Sequence, residues 1–87
     1  MPRVFIPSLI RELTGGVAEI EVEGGTVGEA LDAVERLYPG IVGRLCRGDS
    51  LIPGFQVSVD DTLTKSGLRA KLGPRSEVHF LPSIGGG

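Results

Sequence analysis

Apolar positions alternate at the start of the chain. "RVFIP", residues 3–7, sets Val4 and Ile6 on one face of a short predicted strand and Phe5 on the other. "SLIRELTGG" then ends in the turn signal Gly15-Gly16, and "VAEIEVE" follows with Val17, Ile20 and Val22 in imperfect alternation. Together these segments predict a β-hairpin. In "GGTVGEALDAVERLYPG" the period lengthens, because Val27, Ala30, Leu31, Val34, Leu37 and Tyr38 recur at steps of three and four. That spacing lays one apolar stripe along a helix. Thr26 supplies its N-cap, Glu29 completes a capping box, and Pro39-Gly40 stops it.

"IVGRLC" accommodates a further helical turn on Ile41 and Leu45, and "RGDSLIPG" reads as a loop. "FQVSVDD" alternates cleanly, with Phe55, Val57 and Val59 on one face and Gln56, Ser58 and Asp60 on the other. "TLTKSGLRAKLGPRS" has no sustained period and holds one short strand or turn near Leu63 and Leu68. "EVHFLP" is the closing strand, ended by Pro82. The order is strand, strand, helix, strand, irregular crossover, strand. This predicts an α+β fold with a mixed four- to five-stranded sheet and one main helix packed on one face. The second face of the sheet is left uncovered. If Val4, Ile6, Val78 and Phe80 take the core side, Phe5 and Leu81 fall on that uncovered face and form a candidate partner-docking patch.

Composition narrows the function. With 87 residues, 40% hydrophobic and 23% charged, the chain supports one folded domain with a modest core. A net charge of −2 offers no general attraction to nucleic acid or an anionic membrane, so neither is expected as a partner. The one cysteine, Cys46, cannot close an internal disulfide, and no CxxC or Cys/His cluster offers a metal site. A reducing cytoplasm is the expected compartment. "MPRVFIPSLIREL" lacks a secretory pattern, and nowhere is there a run of about 18 apolar residues that would span a membrane.

No catalytic constellation emerges from the motifs. "EGGTVGEAL" follows a strand and opens a helix, yet it lacks G-x-G-x-x-G spacing and reads as a turn with an N-cap. Lys65-Ser66 has no preceding phosphate-loop glycines, and Asp60-Asp61 reads as a solvated turn. His79 has no nucleophile or acid at a recognisable spacing, and Cys46 reads as a packed thiol. An enzyme is not expected, and neither is a cofactor.

The chain closes on "FLPSIGGG". Glycine loses the most backbone entropy on ordering, so Gly85, Gly86 and Gly87 are suited to a thread rather than a core. The predicted division is a domain over residues 1–82 and a flexible Gly-rich tail over residues 83–87. Without Cβ atoms, the last glycines fit a tunnel that bulkier residues would block. Their carboxylate is modifiable and is delivered on an extension of roughly 17 Å at most, at about 3.4 Å per residue.

The element order together with "EVHFLP" and the terminal glycines resembles the ubiquitin-like β-grasp sulfur carriers of the ThiS/MoaD group, whose ending is "DEVxxLPxxxGG". The resemblance spans essentially the whole chain, and its specific parts are the two ends. "IPSLIRELTGG" and the overall length are most similar to the CysO branch, which is associated with cysteine biosynthesis. The resemblance implies that an E1-like ATP-dependent activating enzyme adenylates Gly87, which then becomes a thiocarboxylate. Gly86 would pass through the enzyme's channel, and Gly85 fills a position the family gives to small residues. The implied sulfur acceptor is a synthase such as a cysteine synthase or a molybdopterin synthase large subunit. One departure is "GPRSEV" where the family often has "DGDEV", which bears on the branch more than on the fold. A chain ending on Gly87 needs no trimming to expose that glycine. Two further readings stay open: a ubiquitin-like modifier conjugated to proteins through Gly87, and a non-enzymatic β-grasp interaction module.

Overall fold

The computed structural model describes residues 1–82. Its first strand, β1 (Arg3–Phe5), lies antiparallel to β2 (Glu19–Glu21) and parallel to the last strand, β7 (Glu77–Pro82). On the far side of β7 runs β5 (Phe55–Val59), antiparallel to it, with β6 (Thr62–Thr64) at the edge. The sheet is therefore five-stranded and mixed, in the order β2-β1-β7-β5-β6. Its register places Ile20, Val4, Val78 and Val59 in one row across the inner face. Val4 and Val78, at the centre of that row, are fully buried.

The helix α1 (Val27–Leu37) covers this inner face with Val27, Ala30, Leu31 and Val34. Its start is fixed as expected from the capping pattern, because the Glu29 N–H donates to Thr26 Oγ1 at 3.2 Å. The return bond differs. Glu29 Oε1 accepts from the Gly25 N–H at 2.7 Å, one residue before the cap. The apolar stripe is also shorter than its sequence pattern, since Leu37 is 59% exposed. Leu37 stands at the margin of the stripe in the last turn, where the chain leaves the core for Pro39-Gly40.

Two connections depart from the expected pattern, and the crossover follows it. Between β1 and β2 the predicted hairpin is opened by a 3-10 segment, Ser8–Thr14, which buries Ile10 and Thr14. The second strand is accordingly reduced to its centre, and Val17 is exposed. The expected loop after Leu45 contains a small hairpin of β3 (Cys46–Arg47) and β4 (Ser50–Leu51), turned at Gly48 with φ 62°. Before it, α2 (Ile41–Leu45) forms the expected extra turn and buries both Ile41 and Leu45. Among the residues of the irregular crossover, β6 and a 3-10 turn at Gly67–Arg69 account for the structure near Leu63 and Leu68.

The turn joining β5 to β6 does more than meet solvent. Asp60 and Asp61 both take left-handed backbone angles, φ 51° and 68°, as a two-residue hairpin turn requires. The Asp60 carboxylate then accepts from the Glu77 N–H at 2.9 Å and the Ser76 hydroxyl at 3.1 Å. The expected solvated turn is thus also a clamp on the start of β7.

Candidate functional site

The outer face of the sheet, turned away from α1, is built by the alternate residues of the same strands. Phe5 lies opposite Glu19 on β2 and His79 on β7, and His79 lies opposite Ser58, which lies opposite Leu63 on β6. One residue pair along, Leu81 faces Gln56. The expected placement of Phe5 and Leu81 on one outward surface is therefore observed. Leu81 is 42% exposed and Leu63 57%, while Phe5 is half-buried.

Phe5 is half-buried because its ring stacks on the imidazole of His79, with centroids 4.1 Å apart and planes 11° from parallel. His79 is thus part of the apolar centre rather than an isolated surface histidine. Ser58, read from the alternation as an outward polar residue, is only 6% exposed, since its small side chain sits in register between His79 and Leu63. The β5–β7 register brings Ser58 opposite His79, and β5–β6 pairing adds Leu63, which the sequence placed only near a short strand or turn.

One edge of this face is charged. Arg3 Nη2 donates to Glu21 Oε1 at 3.0 Å, and its Nε lies 3.9 Å from Glu19 Oε1. The bond to Glu21, then the Glu19 charge, hold the guanidinium more firmly in its protonated form. Glu77, in register with Arg3, lies 3.6 Å from His79 Nε2. The carboxylates remain about half exposed, so these pairs shape the surface charge and contribute little to stability.

Elsewhere the chemistry is sparse. Cys46 is half-buried, and burial first, then the Asp32 charge, push its thiol further toward the protonated state. It borders a groove of about 790 Å³ between α1, α2 and the β3–β4 hairpin, where Asp32 and Asp49 mix with Lys65 and Arg69. Among the described residues no group of His, Cys, Asp and Glu is arranged to hold a metal ion. No described helix is long and apolar enough to cross a membrane. The glycines of "EGGTVGEAL" have a packing reason: a Cβ on Gly24 would stand 2.6 Å from the Ala30 nitrogen. The three tail residues singled out by sequence, Gly85, Gly86 and Gly87, lie outside the described residues.

The model of the ThiS family matches residues 4–87. The sulfur carrier protein CysO of Mycobacterium tuberculosis is 31% identical over 91 residues, which cover 97% of this chain and 96% of that protein. A chain in the crystal structure of the Amycolatopsis orientalis BexX/CysO complex aligns over 100% of both chains, with 34% identity and a TM-score of 0.89. The solution structure of small archaeal modifier protein 1 from Methanosarcina acetivorans aligns over 99% of this chain and 95% of that one. Its TM-score is 0.75 at 22% identity, a likeness in fold alone.

Proposed function

The chain belongs to the ThiS family and has the ubiquitin-like β-grasp architecture of its CysO relatives, and on that premise we propose that it is a sulfur carrier protein whose working group is the Gly87 carboxylate. The observation that carries this reading is the family match running through the terminal glycines, directly after the closing strand. Such a protein is a carried substrate and not an enzyme.

In this reading an E1-like activating enzyme joins Gly87 to AMP from ATP and releases pyrophosphate. A sulfur donor then displaces AMP, leaving a thiocarboxylate. Gly85 and Gly86 give the tail a cross-section without side chains, suited to the enzyme's channel. The folded part, residues 1–82, supplies a handle, and residues 83–87 supply the reach. Phe5 and Leu81 dock the handle, one on a central strand and the other next to the departure of the tail. The half-buried Cys46 and the stacked His79 are left out of the chemistry.

Resemblance to the CysO branch, associated with cysteine biosynthesis, favours a cysteine synthase as acceptor, with an activated serine taking the sulfur, over a molybdopterin synthase large subunit. The cycle is assigned to a reducing cytoplasm, a reading supported by the single cysteine and by the absence of a secretory pattern in "MPRVFIPSLIREL". The test is exchange of labelled pyrophosphate into ATP by the purified activating enzyme. Exchange that depends on this protein, and disappears when Gly86 and Gly87 are deleted, is expected. Equal exchange with the deletion variant contradicts the role of Gly87.

A further inference from the structure

We propose that two copies of this chain pair edge to edge along β6, antiparallel about a two-fold axis at Leu63, and join their sheets into one.

The open row of hydrogen-bonding groups is fixed by the bonds inside the sheet. Asp60 N–H donates to Glu77 O at 3.0 Å, so the even-numbered residues of β5 bond toward β7 and the odd-numbered ones, Val57 and Val59, bond toward β6. Their partners Thr64 and Thr62 turn their N–H and C=O groups to β5, and those of Leu63 between them point away from the sheet. β6 is the last strand in the order, with no neighbour beyond it. A second β6 laid antiparallel against this edge sets Leu63 opposite the partner's Leu63, where the two residues exchange both hydrogen bonds.

The sequence around that axis complements itself. Asp61-Thr62-Leu63-Thr64-Lys65, paired with its own reverse, sets Thr62 opposite the partner's Thr64 and Asp61 opposite the partner's Lys65, once on each side of the axis. Threonine pairs, a leucine pair and opposite charges are each favourable across antiparallel strands. Leu63 is 57% exposed, and Asp61 and Lys65 are both exposed. Neither charge takes part in an ion pair among the described residues, and the carboxylate that clamps β7 belongs to Asp60, not to Asp61.

The opposite edge of the sheet is built the other way. Val22 N–H donates to Pro2 O and Ile6 N–H to Ala18 O, which turns the backbone groups of Glu19 and Glu21 outward on β2. A copy paired there about Ile20 would set Glu19 against the partner's Glu21 on both sides of the axis, with one Arg3 per copy to answer two carboxylates. Like charges directly opposed are unfavourable, and charged residues guard an edge in this way, whereas β6 itself carries none. Self-pairing is thereby confined to one edge and closes at two copies. Three residues a side make a small interface, so the dimer is weak, with a Kd on the order of 0.1 mM.

Sedimentation equilibrium of the full chain from about 10 µM to about 1 mM reads the association, and wild type should pass from monomer toward dimer across that range. Leu63→Lys, which brings two ammonium groups to the axis, should keep the protein monomeric up to about 1 mM. Lys65→Asp, which opposes Asp to Asp at both ends, should raise Kd about tenfold. Adding Asp61→Lys to Lys65→Asp restores opposite charges in reversed order, and Kd should return to within about threefold of wild type. Leu9, 77% exposed on the segment Ser8–Thr14, lies outside this edge, and Leu9→Lys should leave Kd unchanged. Thermal unfolding shows that each variant is folded before it is compared. A wild type monomeric throughout, a Leu63→Lys variant that dimerises like wild type, a double variant no tighter than Lys65→Asp alone, or equal weakening by Leu9→Lys overturns the inference.

Discussion

Glu35 joins α1 to α2, because its carboxylate accepts from the Gly40 N–H at 3.0 Å and the Val42 N–H at 2.9 Å. These bonds, the one from Gly40 first, lower its pKa from the ordinary value of 4.5. A depressed folded-state pKa means that the contribution to stability is complete above the unfolded value and is lost as pH falls through the folded one. Glu35→Gln should therefore lower the thermal midpoint at neutral pH, and the difference from wild type should shrink below about pH 4.5. An equal deficit at all pH values would show that charge is not what Glu35 supplies. At the other end of the chain, Gly86→Val should leave folding unchanged and abolish adenylation, which paired calorimetry and pyrophosphate exchange would show. Normal exchange by that variant contradicts a narrow channel. The Glu35 bridge was not legible in the sequence, since it depends on how the chain turns at Pro39-Gly40. The reading of Gly85, Gly86 and Gly87 rests on the sequence and on the family match through residue 87, and its test is the activity of the variant.

At the scale of elements, α1 was read most fully. Its cap at Thr26 and its buried Val27, Ala30, Leu31 and Val34 follow from periodicity and capping chemistry, which are local. Leu31→Ala should cost about 2–5 kcal/mol in denaturant unfolding, a large part of the stability of a small domain. Thr26→Ala should cost about 0.5–2 kcal/mol, and a loss well below that would mean that Glu29 and Gly25 hold the helix start without it. The segments misread are those fixed by contacts distant in sequence. Ser8–Thr14 forms a 3-10 segment because Ile10 and Thr14 find burial, and Asp60 becomes a clamp only once β7 lies beside β5. Ser58 is hidden by neighbours that strand alternation cannot reveal.

Across the whole molecule, the two sheet faces divide the work. The inner face and α1 build the core; the outer face carries an apolar centre and an acidic edge and leads along β7 to the tail. Phe5 and Leu81 could be placed outward from alternation alone. Their joining with His79 and Leu63 required the strand order β1-β7-β5-β6, which single-strand patterns do not contain. The carrier reading concerns the covalent state of Gly87, and mass reports that state directly. The protein is incubated with ATP, the activating enzyme and a sulfur donor, and its intact mass is then measured. The expected result is a gain equal to replacing one oxygen by sulfur, located at Gly87 and lost in Gly86→Val. A mass unchanged under conditions where the same enzyme and donor thiocarboxylate another ThiS-family carrier would contradict it.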